Sequence, residues 1–339
     1  MNCKNRKTTA GILAAMALAV CFFAFHVLAG EKTSACMNDV PQAKASVQKK
    51  KNLSSAAPVS SKPDETVRFT AKPDPAVVKD SEKLKKSIYS PAAILICADD
   101  RTVLLEKNAE KKIYPASMTK IMTAIVAIEE AKDLHEKVTL PKPIFDKMYE
   151  EDASMAGFVP DEQVTMHDLL YGAILPSGAE CCAGLADQLE GSEAGLAAAM
   201  NRKAAVLGMT NTHFVNTTGL YDAQHYSTVK DIAAVLYYAL KNSTFRSVFT
   251  TPRYTTSPTN KHADGISFES TMFRCLKSNQ AGKATILGGK VGYTDEAGLC
   301  LASLASFNGK EYILVTAGAK NLYRAEIKDA ITVYSSLGS

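Results

Sequence analysis

Metal-ligand spacing is missing from this sequence. Its six histidines form no H-E-x-x-H pair, and His213 and His225 stand apart in loop-like stretches, which disfavours a metallopeptidase. Cysteine is present but without pattern. Of eight, Cys3, Cys21 and Cys36 fall near the N-terminus, leaving Cys97, Cys181, Cys182, Cys275 and Cys300. That remainder is odd in number and holds no C-x-x-C, so buried free thiols are expected rather than a disulfide framework. Charge of one sign is scarce too: 39 Lys and Arg against 35 Asp and Glu leave a net +4, too mild for a nucleic-acid partner. No internal repeat is visible. With 46% apolar and 22% charged residues, a wholly disordered or fibrous protein is excluded.

The residues that are present are unevenly spread. Residues 1–85 carry 14 basic and 7 acidic side chains, an excess of +7, so residues 86–339 are slightly acidic at −3. Lys4, Arg6 and Lys7 precede an apolar run from Ala10 to Ala29, long enough to cross a bilayer. Residues 1–30 therefore read as a signal peptide or an N-terminal membrane anchor. Either one exports the rest of the chain. Residues 31–85, rich in Lys, Ser, Ala, Pro and Asp, read as a disordered tether that buries too little apolar surface to offset its ordering entropy. Length alone suggests about two domains, but the roughly 254 residues of 86–339 fit one two-part domain.

Within that domain, Ala92–Cys97 and Val103–Glu106 flank an Asp99–Asp100–Arg101 turn and predict a hairpin. Pro115 suits the first turn of a helix that continues through Ile121–Glu130. Ala- and Leu-rich runs at Val164–Leu175, Cys181–Leu189, Gly195–Leu207 and Asp231–Leu240 predict helices. Strands return at Leu299–Ser306 and Tyr312–Ala319, with a helical pattern after them over Leu322–Ser335. Strands at both ends with helices inserted at about 125–250 make an α+β layout rather than a βαβα alternation.

Three short segments carry chemistry. In Pro115-Ala-Ser-Met-Thr-Lys120, Ser117 and Lys120 stand at i and i+3, on one face of a helix start. A serine hydroxyl becomes a nucleophile when a base takes its proton, and a lysine amine is that base once burial or neighbouring charge holds it neutral. Free N–H groups at the helix start suit a developing oxyanion. Leu175-Pro-Ser-Gly178 presents Ser177 on a turn between two helical runs. Gly288-Gly-Lys-Val-Gly-Tyr-Thr294 places Lys290 between glycines that permit close backbone approach.

Together with Tyr114–Ala124, Asp168–Gly172, Phe214–Leu220, His225–Thr228 and Gly292–Gly298, these segments resemble the low-molecular-mass penicillin-binding serine D-Ala-D-Ala carboxypeptidases, in family order and over about residues 88–338. The resemblance implies a penicillin-binding/β-lactamase-like fold, an antiparallel sheet covered by helices with an inserted helical subdomain. It implies Ser117 as the acylated nucleophile, Lys120 as its base and Ser177 as a proton relay to the leaving D-alanine. Lys290, Gly292, Tyr293 and Thr294 would bind substrate, with the Ser117 and Tyr293 amides as oxyanion hole and Arg274 as a candidate carboxylate partner. The implied partners are peptidoglycan stem peptides, β-lactams as inhibitors, and a membrane if the N-terminal segment stays uncleaved; no cofactor is implied. Family members often end in a β domain and an anchor helix, so the N-terminal run is the expected anchor here. Two positions depart from the family: Ala179 stands where S-x-N has Asn, and Val291 where K-T-G has Thr. Glu180 or Thr294 are candidates to compensate. A serine β-lactamase and a catalytically impaired wall-binding or sensor homologue are the alternatives.

Overall fold

The computed structural model describes residues 65–71, 77–320 and 322–339. Strand β1 (Thr70–Ala71) and helix α1 (Ser81–Ser87) come before strand β2 (Ala92–Cys97). β2 is apolar and buried at all six positions, the signature of a strand covered on both faces. The turn after it places Arg101 in the left-handed region at φ +62, and Asp100 accepts from the Thr102 amide at 3.0 Å. The chain returns as β3 (Thr102–Lys107), antiparallel to β2 with Leu105 opposite Leu95.

Helices then accumulate. A single 3-10 turn at Ala116–Met118 leads into α2 (Thr119–Glu130), buried from Thr119 through Ala127. Around it stand β4 (Lys137–Thr139), α3 (Lys142–Glu150), β5 (Gln163–Thr165), α4 (Met166–Ile174), α5 (Ala179–Glu190), α6 (Glu193–Leu207), α7 (Val229–Ala239) and α8 (Ser243–Thr250). Side-chain caps set several starts: Thr165, Ser192, Thr228 and Asn242 each accept the amide three residues on. The small hairpin of β6 (Arg253–Thr255) and β7 (Ser267–Glu269) and the short α9 (Thr271–Cys275) close this part.

The chain finishes with β8 (Gln280–Ala281), β9 (Ala284–Thr294), β10 (Gly298–Phe307), β11 (Lys310–Ala319) and α10 (Ala325–Ser335). The large sheet runs β1-β3-β2-β11-β10-β9-β8, so strands from both ends of the described chain meet at β2 and β11. Alternate side chains serve two cores. Ile94 and Ile96 join Met118, Ile121 and Ile125 of the helical part, while Ala93 and Leu95 join Ile327, Val333 and Tyr334 of α10. This is an α+β fold with a helical insertion, and all but its first strand pair are antiparallel.

The reading of 31–85 as a disordered tether is corrected at its C-terminal end. Val67 and Phe69 pack against the helical core, the Val67 amide donates to Leu207 O at 3.1 Å, and β1 pairs parallel with β3. Val78 and Leu84 are buried, and Asp80 caps α1 by accepting the Lys83 amide at 2.9 Å. A few apolar side chains spaced among lysines suffice to dock these short stretches. The expectations for residues 1–30, and for 31–64 and 72–76, lie outside the described residues.

Candidate active site

Where the 3-10 turn meets the sheet, Ser117 opens onto a cavity of about 80 Å³ shared with Lys120, Ser154, Ala179, Thr218, Tyr293 and Thr294. The turn is built under strain: Ala116, just before the nucleophile candidate, lies at φ +46. A non-glycine residue there costs on the order of 1 kcal/mol, and such conformations gather at functional sites. Lys120 lies one turn on, fully buried, with Nζ 3.1 Å from Ser117 Oγ and donating to Thr218 O at 2.7 Å. Burial pushes the Lys120 ammonium below the ordinary lysine range, against the pull of Cys182, Glu180, Cys181 and Glu193. A buried amine held by one carbonyl and one hydroxyl is therefore placed to take the proton of Ser117.

Two backbone segments fix this pair. The loop at 216–220 delivers the Thr218 carbonyl, with Asn216 Oδ1 accepting the Gly219 amide at 2.8 Å and Glu193 Oε1 accepting from Thr217 N and Oγ1. Gly219 has φ +83, and a Cβ there would sit 1.9 Å from Ala116 O. From the other side β9 comes so close that a Cβ on Gly292 would meet the Ser117 amide nitrogen at 2.9 Å. His225 anchors the start of α2. Its Nδ1 accepts the Val215 amide at 3.2 Å, so the proton is on Nε2 and donates to Thr119 Oγ1 at 2.8 Å. Burial pushes this imidazole down to about 4, and it stays neutral.

Of the residues expected from sequence, Ser117, Lys120, Tyr293 and Thr294 meet around the cavity. Tyr293 is exposed and its hydroxyl donates to Asp295 at 2.6 Å, while Thr294 Oγ1 accepts the Ala297 amide and closes the β9–β10 turn. Ser177 and Lys290 are buried and are not among the residues that line the cavity. Ser177 stands in the left-handed region at φ +74, directly before α5. Lys290 donates to Val291 O at 2.9 Å, and burial reinforced by the Lys120 charge pushes it well below the usual lysine range. Arg274 is an exposed residue of α9 outside the cavity walls.

The two departures differ in consequence. Ala179 lines the cavity, so the missing amide is missing from the site itself. Val291 packs toward the core under α10 and is not a wall residue. Glu180 does not turn into the cavity to replace the amide; it is buried and binds the amides of Ala156 and Gly157. Sequence reasoning missed the wall formed by Asp152, Ala153 and Ser154, which no motif marks. Nor does sequence alone give Phe214–Leu220 a role, although the Asn-Thr-Thr-Gly turn within it holds the lysine through the Thr218 carbonyl.

Comparisons with known proteins show the family to which this fold belongs. A profile described as D-alanyl-D-alanine carboxypeptidase matches residues 78–321. A D-alanyl-D-alanine carboxypeptidase of Streptomyces sp. strain K15 is 34% identical over 220 residues, 62% of this chain and 75% of the relative. The Bacillus subtilis D-alanyl-D-alanine carboxypeptidase DacF is 34% identical over 235 residues, which make up 67% of this chain and 57% of DacF. The crystal structure of the Streptomyces K15 DD-transpeptidase superposes with a TM-score of 0.66 at 30% identity, over 74% of this chain and 97% of that one. The chain spans little more than half of DacF but most of the Streptomyces proteins. With a family profile that matches well over half of its length, this chain belongs to the D-alanyl-D-alanine carboxypeptidase family of serine peptidases.

Proposed function

We propose that the protein removes the terminal D-alanine from peptidoglycan stem pentapeptides by acyl transfer through Ser117. The observation that carries this reading is the 3.1 Å approach of buried Lys120 Nζ to Ser117 Oγ. Neutral Lys120 takes the hydroxyl proton as Oγ attacks the D-Ala-D-Ala carbonyl. The amides of Ser117 and Tyr293 receive the oxyanion, with Gly292 letting β9 lie against the Ser117 turn. Ser177 relays the proton from Lys120 to the departing D-alanine nitrogen, and buried Lys290 supports that transfer. Water then attacks the acyl-serine ester, with the proton returning through Lys120. The substrate places the enzyme outside the cytoplasm, and the N-terminal apolar run is its means of export or anchoring.

Fluorescent penicillin is the test, because it acylates the same serine and leaves a covalent mark. Labelling of wild type and none of Ser117→Ala is the expected result, alongside release of D-alanine from an acyl-D-Ala-D-Ala peptide. No labelling of the wild type would favour the impaired wall-binding homologue, a reading kept open by Ala179 in the cavity wall. Rapid penicillin turnover without D-alanine release would point to a β-lactamase.

A further inference from the structure

The loop that supplies Asp152, Ala153 and Ser154 to the cavity has no regular structure of its own, yet three hydrogen bonds tie it to the first turn of α5. The Ala179 amide donates to Ser154 O at 2.8 Å. Glu180 Oε1 accepts from the Ala156 amide at 2.6 Å and from the Gly157 amide at 3.0 Å. Glu180 is fully buried, and its second oxygen, Oε2, has no hydrogen-bond partner among the described residues. Such burial opposes folding unless the bonds made by Oε1 offset it. Those bonds leave the helix altogether. There is no slack between the two elements, since a Cβ on Gly178 would meet Ala156 Cβ at 2.6 Å and Glu180 Oε2 at 2.9 Å. Ser177 stands two residues before that turn, so the segment that carries the proposed relay serine is also the one tied to the cavity wall.

We propose that Glu180 is a positioning residue that latches the 152–157 loop onto α5 and so fixes the width of the cavity between Ser154 and the Ser117–Lys120 side, setting how well substrate fits. The proposal rests on the acyl-transfer function assigned to Ser117. Burial also pushes the Glu180 carboxyl up, and Oε1 accepts both amides whether or not the group carries a proton. Glutamine reproduces that arrangement with its amide oxygen. Alanine removes the acceptor and leaves two amides unpaired.

The experiment compares full-length wild type, Glu180→Gln and Glu180→Ala in D-alanine release, reading KM and kcat separately, and in amide hydrogen exchange of a peptide covering 152–158. Glu180→Ala is expected to raise KM about tenfold or more with a smaller change in kcat, and to speed exchange in 152–158 about a hundredfold while the β10–β11 amides stay protected. Glu180→Gln is expected to retain most of the wild-type KM and protection. Unchanged KM and exchange in Glu180→Ala would overturn the proposal, and so would a Glu180→Gln variant as impaired as alanine. A Glu180→Ala chain that loses protection throughout the sheet would also overturn it, because the residue would then serve the whole fold rather than the wall. Should wild type release no D-alanine, the functional reading fails by itself and hydrogen exchange still decides the latch.

Discussion

Gly292 shows how one missing side chain shapes the candidate site. Its neighbours are the Ser117 amide nitrogen at 2.9 Å from an added Cβ, Ala116 Cβ at 3.1 Å and the Met118 amide nitrogen at 3.3 Å. Two of these are backbone atoms of a strained turn and cannot swing aside, so Gly292→Ala must push β9 away from Ser117. The amides of Ser117 and Tyr293, the proposed oxyanion hole, would then move apart. Loss of one such donor costs about a hundredfold or more in rate, and the overpacking costs about 1–3 kcal/mol in stability. Penicillin acylation rates for Gly292→Ala, read beside a melting curve, check this. A rate equal to wild type in the folded variant would remove these amides from the mechanism. At this scale the candidate nucleophile and its lysine were legible because side-chain chemistry and i, i+3 spacing sit in the letters themselves. The carbonyl of Thr218 was not, since any residue carries one and only the fold decides where it points.

Between elements, His225 does the joining. It lies in the loop before α7, binds the Val215 amide through Nδ1 and holds Thr119 at the start of α2 through Nε2. Both bonds require the neutral ring with its proton on Nε2. In the unfolded chain the ring titrates near 6.5, and in the folded protein burial pushes it down to about 4. Between these values the unfolded state binds more protons, so stability is full above about 6.5 and falls as pH drops toward 4. The loss from this group approaches about 3 kcal/mol at the acid end. Urea melts of wild type and His225→Gln at pH 7.5 and 4.5 test the sign. The variant is expected to be less stable at pH 7.5 and to show a smaller drop on acidification. An equal or larger drop would place the acid sensitivity elsewhere. The Ala- and Leu-rich helices α4, α5, α6 and α7 were legible in sequence, whereas α3 and α8 were not. The pairing of β4 with β5 and of β6 with β7 was not, because three-residue strands carry too little alternation to stand out from loops.

Across the whole molecule, the sheet draws on distant parts of the sequence, and its outer strand comes from the lysine- and proline-rich stretch that reads as tether. β1 pairs with β3 for only two residues, but its neighbours do more. Val67 binds Leu207 O at the end of α6, Phe69 packs edge-on against Tyr237 of α7 at 6.3 Å, and Glu65 lies 3.5 Å from Lys203. Composition averages over such a stretch and hides two apolar side chains that matter, which is why the reading of 31–85 as tether runs too far. The ion pair is partly exposed and contributes little. The half-buried Val67 and Phe69 together account for about 2 kcal/mol. A chain beginning at residue 77 lacks β1 and these contacts but keeps the cavity walls, all of which lie beyond residue 116. It is expected to melt about 4–8 °C below a chain beginning at residue 61, with penicillin acylation unchanged. Equal melting temperatures would mean that residues 65–71 contribute no net stability. A loss of acylation with folding intact would instead tie the strap to the active site through α6, α7 and the Glu193–Thr217 bond that steadies the lysine-holding loop.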